Sequence, residues 1–516
     1  MAAAYAPRKA EVAPLVGSAL ILAGFLLAIG NFMVVLDMTI ANVSIPNIAG
    51  GLAVSPSQGT WVITSYSVAE AIVVPLTGWL AGRFGAVKVF VTGMIGFGVC
   101  SALCGLAPSL GFLVLFRVMQ GLCGGPIMPL SQTLLMRIFP QRQRGQAMGI
   151  WGMTTVVGPI IGPILGGALC DDLGWQWIFY INVPVAAICG FLAYRALRNH
   201  DTPTERTPVD LAGLALLITF VGALQIMLDK GKDLDWFSSP FIVGLALVAA
   251  IAFASFLIWE LTAEHPIVNL RVFRHRGFIG AVINISLTFG AYFSSIVLVP
   301  LWLQTNLGYT ATWAGRVTAF GGMLAVIVSP IVGRLVGKVD SRRLVTFGVL
   351  WLGGVALVRS HSASNINFWS LALPFLAQGL ATPFFFIPSS QLALSSVEPK
   401  EVAAAAGLSN FMRTISAAFA TSIITTLWDN TATRAHAQLV GRLNDAPGAL
   451  NAMMARGMTH DQALYQLEQI TQGQAVMVAT DQMFMITTVV FLVAAAAVWL
   501  SPKPEATAEP PSVVGH

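Results

Sequence analysis

Long apolar stretches separated by short polar breaks run along nearly the whole chain. We count fourteen of them, each close to the roughly 20 residues that a helix needs to cross the hydrocarbon core of a bilayer. They lie near residues 15 to 40, 59 to 81, 88 to 107, 110 to 136, 146 to 170, 177 to 197, 211 to 228, 241 to 261, 279 to 304, 313 to 335, 344 to 360, 368 to 396, 402 to 427 and 480 to 500. A membrane barrel would show short strands of alternating polarity, which the sequence lacks. The pattern therefore predicts an all-α membrane protein with about 14 transmembrane helices.

Two short motifs occur twice, at nearly the same offset. Residues 75 to 83 resemble residues 330 to 338, and Gln120-Gly121-Leu122 matches Gln378-Gly379-Leu380. Parallel repeats of this kind are typical of transporters that rock two six-helix bundles around a site near the midplane. The predicted divisions are a cytoplasmic N-terminus at 1–14, an N-terminal six-helix bundle at 15–200, two inserted helices at 201–265, a C-terminal six-helix bundle at 266–500 with a periplasmic loop at 428–479, and a disordered cytoplasmic tail at 501–516.

Composition and charge agree with a membrane protein. With 56% hydrophobic and 10% charged residues, 516 residues carry too much apolar surface for a single water-soluble core. If the N-terminus is cytoplasmic, 19 of the 28 Lys and Arg residues fall in inner loops and six, among them Arg359, in outer loops. This distribution follows the positive-inside rule, so the net charge of +5 reflects topology rather than nucleic-acid binding.

Three ionisable residues within the apolar spans are candidates for proton coupling. A charge at the bilayer centre costs at least about 2.5–3.5 kcal/mol, so each one requires a partner or a function. Desolvation favours the neutral form of a buried carboxyl group, so Asp37 and Glu70 are suited to taking up and releasing protons. Arg117 precedes Gln120 by one helical turn on the same face. Its permanent positive charge can set the pKa of a nearby carboxylate and release that carboxylate when the helices shift. Structural alternatives stay open: an interfacial cap or a hydrogen-bonded acid for the carboxyls, and a static ion pair between spans one and four for Arg117.

Further polar side chains in or next to the spans are candidates for a substrate cavity between the bundles, because such a site lies near the midplane. They are Asn42, Gln120, Gln132, Gln378, Gln391, Asn410 and Arg413.

Span five carries a dense glycine and proline pattern that predicts a conformational hinge. Its members are Gly158, Pro159, Gly162, Pro163, Gly166 and Gly167. Glycines four residues apart form a smooth stripe on which another helix can lie closely, and each proline removes a backbone donor and bends the helix. A bent, tightly packed helix between the bundles would suit a seal that opens and closes; ordinary small-residue packing is the alternative.

Enzyme signatures are missing from the sequence. It contains no phosphate loop, no HExxH and no dinucleotide-binding glycine motif, so we expect no catalytic residues, no metal and no cofactor. Energy must then come from an ion gradient or a partner, with the proton as the expected coupling ion.

Several longer motifs together indicate a family. They are LDMTIANVSIP at 36–46, RVMQG at 117–121, GPIIGPILGG at 158–167, WQWIFYINVP at 175–184, QIMLDKGKDLDWFSS at 225–239 and GYTATWAG at 308–315. The chain resembles the fourteen-span drug:proton antiporters of the major facilitator superfamily, in particular the EmrB multidrug exporter subfamily, over essentially its whole length.

This resemblance implies a major facilitator fold in a bacterial inner membrane and proton-driven export of hydrophobic drugs, dyes or toxic compounds. It also implies a periplasmic adaptor protein and an outer-membrane channel as partners. Asp37 matches the family's first-span acid, and residues 158–167 match its antiporter motif. Gly78, Arg83, Gly85 and Lys88 match the inner loop gate, but Gly82 stands where the superfamily usually has Asp. Proton-coupled uptake or export of a specific metabolite is the alternative, because the same fold permits it.

Overall fold

The computed structural model describes residues 15–205, 208–309, 311–361, 367–443 and 445–502. These residues are almost entirely helical; an isolated bridge between Val336 and Val339 is the β structure found among them. The predicted N-terminal segment 1–14 and all but the first two residues of the predicted tail lie outside the described residues.

The described α-helices are numbered in chain order. They are α1 Gly17–Val43, α2 Ile45–Gly51, α3 Pro56–Gly59, α4 Trp61–Val73, α5 Thr77–Phe84, α6 Ala86–Gly105, α7 Leu110–Gly124, α8 Ile127–Ile138, α9 Arg144–Asp172, α10 Trp177–Tyr180, α11 Asn182–Leu197, α12 Leu211–Lys230, α13 Pro240–Thr262, α14 Arg276–Asn306, α15 Ala311–Leu335, α16 Ser341–Arg359, α17 Phe368–Ser395, α18 Val402–Val440, α19 Ala446–Met454 and α20 His460–Ala497.

Length and apolarity qualify 12 segments of the described chain as membrane spans, and a bent pair within α9 adds a thirteenth. The bend of 44° lies between Pro159 and Ile161, where proline removes a backbone donor. Proline also divides the second span, since a 3₁₀ turn that contains Pro75 separates α4 from α5. Within the described residues, the one predicted span that does not qualify is the thirteenth, 402–427, which is part of α18; this helix is long enough to cross a bilayer but carries more polar residues, including Asn410 and Arg413.

The helices pack as two groups that contact each other along a few helices. In the first half, α1 packs on α9 and α11, α4 on α7, and α6 on α7 and α11. In the second half, α14 packs on α18 and α20, α16 on α17 and α20, and α15 on α17. The halves meet where α9 packs on α15 and where α18 packs on α5 and α8.

Small residues and one hydrogen bond bring the halves together near their basic loops. A Cβ atom on Gly145 of α9 would lie 2.5 Å from the carbonyl oxygen of Gly333 of α15, so these backbones touch directly. Nearby, the Asn410 amide of α18 donates to Oε1 of Gln132 of α8 at 2.7 Å. We call these four residues the interhalf contact.

The two inserted helices lie at the edge of this boundary. The Thr64 hydroxyl of α4 donates to Asp229 of α12, and the Ser422 hydroxyl of α18 donates to the Leu228 carbonyl of the same helix at 2.8 Å. α12 therefore contacts both halves. Most of α13 is left uncovered by protein, as suits a helix that faces lipid.

The segment predicted as a long loop, 428–479, is largely helical. α18 continues to Val440, the short α19 follows, and α20 begins at His460 after a capping box formed by Thr459 and Gln462. Reciprocal capping satisfies two backbone donors at a helix start, which explains why α20 begins so far ahead of its apolar part.

Candidate functional site

A buried ion pair lies at the centre of the first half. Nη1 of Arg117 stands 2.6 Å from Oδ2 of Asp37, and both side chains are about 1% exposed. Gln120 joins the pair: its Oε1 accepts from Arg117 at 2.8 Å and its amide nitrogen donates to Asp37 at 3.2 Å. Arg117 and Gln120 lie on the same face of α7, as the sequence pattern predicted, and Asp37 of α1 is their common partner.

Neighbouring polar and aromatic groups complete this cluster. Asn182 donates to Oδ1 of Asp37 at 2.7 Å and to Ser101 at 3.1 Å. The Arg117 guanidinium lies 4.2 Å from the ring centroid of Tyr66 and 5.7 Å from that of Phe179. A carboxylate with this many charge-assisted partners is held in one position, as in a structural ion pair.

Glu70 lies in a different setting. It is buried on α4, and the cations that act on its carboxylate are Arg413 of the second half and Arg117 of its own half. Arg413 is buried too: its guanidinium contacts the Met128 sulfur and lies 5.1 Å from the ring of Phe289. Glu70 is therefore a buried acid with one arginine from each half nearby.

The remaining cavity candidates do not form a single site. Gln132 and Asn410 bond to each other at the interhalf contact. Asn42 is exposed near the end of α1, and Gln391 is partly buried in α17. Gln378 belongs to a separate cluster within the second half, described next.

Arg359 is buried, contrary to the expectation of an outer-loop charge. It is the last residue of α16, 6% exposed, and its Nη1 donates to Oε1 of Gln378 at 2.7 Å. Its guanidinium lies 4.2 Å from the ring of Phe375 and 5.8 Å from that of Phe484. The adjacent polar Ser360 and His361 made the sequence resemble a loop, although the arginine belongs to the last helical turn.

The glycine stripe of α9 packs within the first half and not between the halves. Cβ atoms on Gly158, Gly162 and Gly166 would meet Val35, Thr39 and Ile40 of α1, respectively. Gly167 has open space around it. α9 contacts the second half at Gly145 of the interhalf contact and at Pro163, whose Cβ atom lies 3.9 Å from where a Cβ atom on Gly315 of α15 would be.

The loop between the second and third spans is held by a carboxylate from elsewhere in the chain. Asp201 accepts from the backbone N–H of Val87 at 2.9 Å, at the start of α6. Gly85 has a φ of +95°, and a Cβ atom there would collide with the Asp201 carboxylate, so glycine is required at this position. Asp201 thus supplies an acid next to the motif in which Gly82 replaces Asp.

The other gate residues differ in their surroundings. Gly78 lies directly against Ala404 at the start of α18, where a Cβ atom would come within 2.8 Å. Arg83 lies over the Trp79 ring at 5.5 Å, and Lys88 is exposed. Of these residues, Gly78 lies at the boundary between the halves.

Sequence reasoning missed Asn182, Ser101, Tyr66 and Arg359 as members of the buried polar clusters. Asn182 could have been found, because it is a polar residue inside the WQWIFYINVP motif. Ser101 and Tyr66 carry no such signal, since single hydroxyl groups are common in membrane helices.

Among the described residues, no group of three or more His, Cys, Asp and Glu side chains could hold a metal ion.

Known proteins resemble this chain over almost its full length. The Major Facilitator Superfamily model matches residues 27–421. The chain is 45% identical over 496 residues to the multidrug export protein EmrB of Escherichia coli, which covers 95% of this chain and 97% of that protein. It is 40% identical to the fatty acid resistance protein FarB of Neisseria gonorrhoeae, over 95% of this chain and 98% of that one.

Solved structures share the fold at low sequence identity. The proton:xylose symporter XylE superposes with a TM-score of 0.57 at 13% identity, over 95% of this chain and 97% of the symporter. The human organic anion transporter MFSD10 superposes with a TM-score of 0.55 at 13% identity, over 92% of this chain and 98% of the transporter.

The prediction of an all-α membrane protein with a major facilitator fold is confirmed by these matches and by the recurrent apolar helices. The chain is a multi-pass inner-membrane protein and a transporter rather than an enzyme. It belongs to the major facilitator superfamily and, within it, to the family of the EmrB multidrug export proteins.

Proposed function

We propose that this protein exports hydrophobic drugs, dyes or toxic compounds across the inner membrane by alternating access, in exchange for protons. Its relatives are named as multidrug export and fatty acid resistance proteins. The observation that carries the proposal is the burial of Glu70 within electrostatic reach of Arg117 of its own half and Arg413 of the other. Both termini are proposed to be cytoplasmic, in agreement with the 19 basic residues of the inner loops.

The charge state of Glu70 couples the proton to the positions of the two halves. When Glu70 is ionised, its carboxylate attracts Arg413 and favours the closed interhalf contact. When Glu70 is protonated, that attraction is lost and the halves separate more easily at this point, because charges in a low-dielectric interior interact strongly. One proton that crosses the membrane inward supplies about 2.3 kcal/mol per 100 mV and about 1.4 kcal/mol per pH unit. Asp37, fixed by Arg117, Gln120 and Asn182, keeps the first half in the geometry that this exchange requires.

Glu70→Gln tests the assignment directly. We expect this variant to lose dye export against a gradient in acidified inverted vesicles by about tenfold or more, because the amide cannot exchange a proton. Dye exchange at equal concentrations on the two sides should continue, since it needs no net proton movement.

Glu260→Gln provides the matched control. Glu260 is also a buried acid, 1% exposed, but it lies on the inserted helix α13. We expect its replacement to leave uphill export intact. If Glu70→Gln kept full uphill export, Glu70 would have no part in coupling. If the purified protein instead transported one metabolite and no member of a panel of lipophilic dyes, its function would be the transport of that metabolite and not drug export.

We further propose that the protein forms the inner-membrane part of a three-component pump with a periplasmic adaptor and an outer-membrane channel. The proposed docking region is the helical extension at 428–479. It carries an open, shallow groove lined by Met458, Gln462, Tyr465, Gln466 and Gln469. Tyr465 is 68% exposed there, and large exposed aromatic groups are frequent anchors of protein interfaces.

Tyr465→Glu should separate docking from transport. We expect the variant to transport dye normally in membrane vesicles but to lose drug resistance in whole cells, where the adaptor is needed. Resistance equal to wild type would exclude this groove as the docking surface. Tyr309→Glu, a change of a tyrosine that packs at the end of α14, controls for a general effect of removing an aromatic ring.

A further inference from the structure

The end of the inserted helix α12 is bonded to the two helices that carry the charges of the proposed coupling pair. α4 carries Glu70, and α18 carries Arg413. The last turn of α12 and the tight turn that follows it make hydrogen bonds to both helices. We call the residues of α12 and its turn that make these bonds the α12 strap: Leu228, Asp229, Lys230 and Trp236.

One arm of the α12 strap holds α4. The Asp229 carboxylate accepts a hydrogen bond from the Thr64 hydroxyl at 2.5 Å. The Lys230 ammonium group donates to the Thr60 hydroxyl at 2.9 Å and lies 5.7 Å from the ring centroid of Trp61. Two charged side chains of α12 are thus bonded to the start of α4.

The other arm holds α18. The Ser422 hydroxyl donates to the Leu228 carbonyl at 2.8 Å, and the indole N–H of Trp236 donates to the Thr426 hydroxyl at 3.0 Å. Ser422 lies about five helical turns, or about 27 Å, beyond Ala404, which contacts α5 near the basic loops. The α12 strap therefore lies at the opposite end of the spans from the interhalf contact.

The turn that places Trp236 has an unfavourable backbone conformation. Asp235 and Trp236 have φ of +53° and +51°, in the left-handed region that residues other than glycine rarely adopt. The Trp236 ring folds back onto Gly231, where a Cβ atom would come within 2.6 Å of it. Strain of this kind persists only where surrounding contacts compensate for it, and the bond to Thr426 is one such contact.

Rocking of the two halves must open one end of their boundary as it closes the other. In this structure the halves meet directly near the basic loops, at the interhalf contact. At the opposite end α12 packs on both α4 and α18. A rigid helix bonded to both of them fixes their separation, so the two helices cannot approach each other there while both arms hold.

We propose that the α12 strap keeps α4 and α18 at a fixed separation at this end and thereby stabilises the conformation that is closed at the basic loops. The inserted helices then act on transport through the position of α4 against α18, with Asp229 and Trp236 as positioning residues. This role rests on the proposed alternating access, in which the two halves must exchange their open and closed ends.

The experiment measures the distance between two spin labels by double electron–electron resonance on the purified full-length protein in lipid nanodiscs. The labels are attached after Leu106→Cys and Gln304→Cys, two exposed positions at this end of the first and the second half, in a background whose five native cysteines are replaced. Ser422→Ala combined with Thr426→Val removes the arm to α18, and Thr64→Val removes a bond of the arm to α4. We expect each variant to raise the ratio of short to long distances about fivefold, because the lost hydrogen bonds favoured the long-distance state.

Thr425→Val combined with Thr433→Val is the matched control, because both hydroxyls bond to backbone carbonyls of α18 itself. This control should leave the distance distribution of the labelled parent unchanged. Unchanged distributions in both strap variants would overturn the proposal, and so would an equal shift in the control. The distance measurement needs no transport, so a failed strap test would leave the export result of Glu70→Gln standing, and a failed Glu70→Gln test would leave a measured strap effect standing.

Discussion

Asp37→Asn is expected to abolish uphill export and to lower the free energy of unfolding by about 3–5 kcal/mol, because it leaves the Arg117 guanidinium buried without its counter-charge. The pair is 2.6 Å apart and almost fully buried, so water cannot replace the lost carboxylate. Asparagine keeps an acceptor for the amides of Gln120 and Asn182, and most of the loss is therefore electrostatic. Reversible denaturation of the purified variant, together with dye export in vesicles, measures both effects.

A double variant separates the effect on stability from the effect on transport. Asp37→Asn combined with Arg117→Gln removes both charges, and we expect this double variant to regain most of the lost stability, as a cycle of single and double substitutions would reveal. Transport should stay absent, since the neutral pair no longer fixes the geometry beside Glu70. A double variant that exported dye normally would show that the buried pair serves folding alone.

Gly162→Leu is the second substitution with a large expected effect. The Cβ atom alone would collide with the Thr39 side chain on α1, and the hydroxyl of Thr39 donates to the Gly158 carbonyl at 3.2 Å across the same contact. Overpacking a tight contact costs typically about 1–3 kcal/mol, and here the rigid backbone around Pro163 limits relaxation. We expect folded protein in the membrane to decrease several-fold and the remaining fraction to transport poorly, as quantified by size-exclusion fluorescence and dye export.

Gly167→Leu is the control on the same helix. Open space surrounds Gly167, so its leucine variant should fold and transport almost normally. Equal damage from both substitutions would mean that leucine harms α9 through a general effect, and the close contact with α1 would then not explain the Gly162 result.

Much of the fold was predictable from the sequence because the bilayer imposes a simple physical requirement. Each apolar stretch must form a helix of roughly 20 residues to cross the bilayer, and the helices follow one another in the order in which the stretches occur along the sequence. The exception is α18, whose polar residues such as Asn410 and Arg413 serve the boundary between the halves and reduce its apolarity. The bend at Pro159 also followed from the proline pattern of span five, whereas the 3₁₀ turn at Pro75 was not predicted.

The candidate site was less predictable, because tertiary contacts decide it. Helical periodicity placed Arg117 and Gln120 on one face, but it could not tell which helix would supply their partners Asp37 and Asn182. A glycine stripe shows that some helix lies close, without identifying α1 as that helix. Arg359 was placed outside because helix ends are the least certain part of a sequence-based assignment.

The length of α18 gives the protein a mechanical lever. Its 39 residues extend over about 58 Å, almost twice the thickness of the hydrocarbon core. A tilt of about 10° around a pivot in the bilayer would swing a rigid arm of about 30 Å through a stroke of about 5 Å at its tip. A small change of the helix angle near Arg413 therefore becomes a displacement of several ångströms at Val440, the far end of α18. A protein bound at that end would be displaced in each transport cycle.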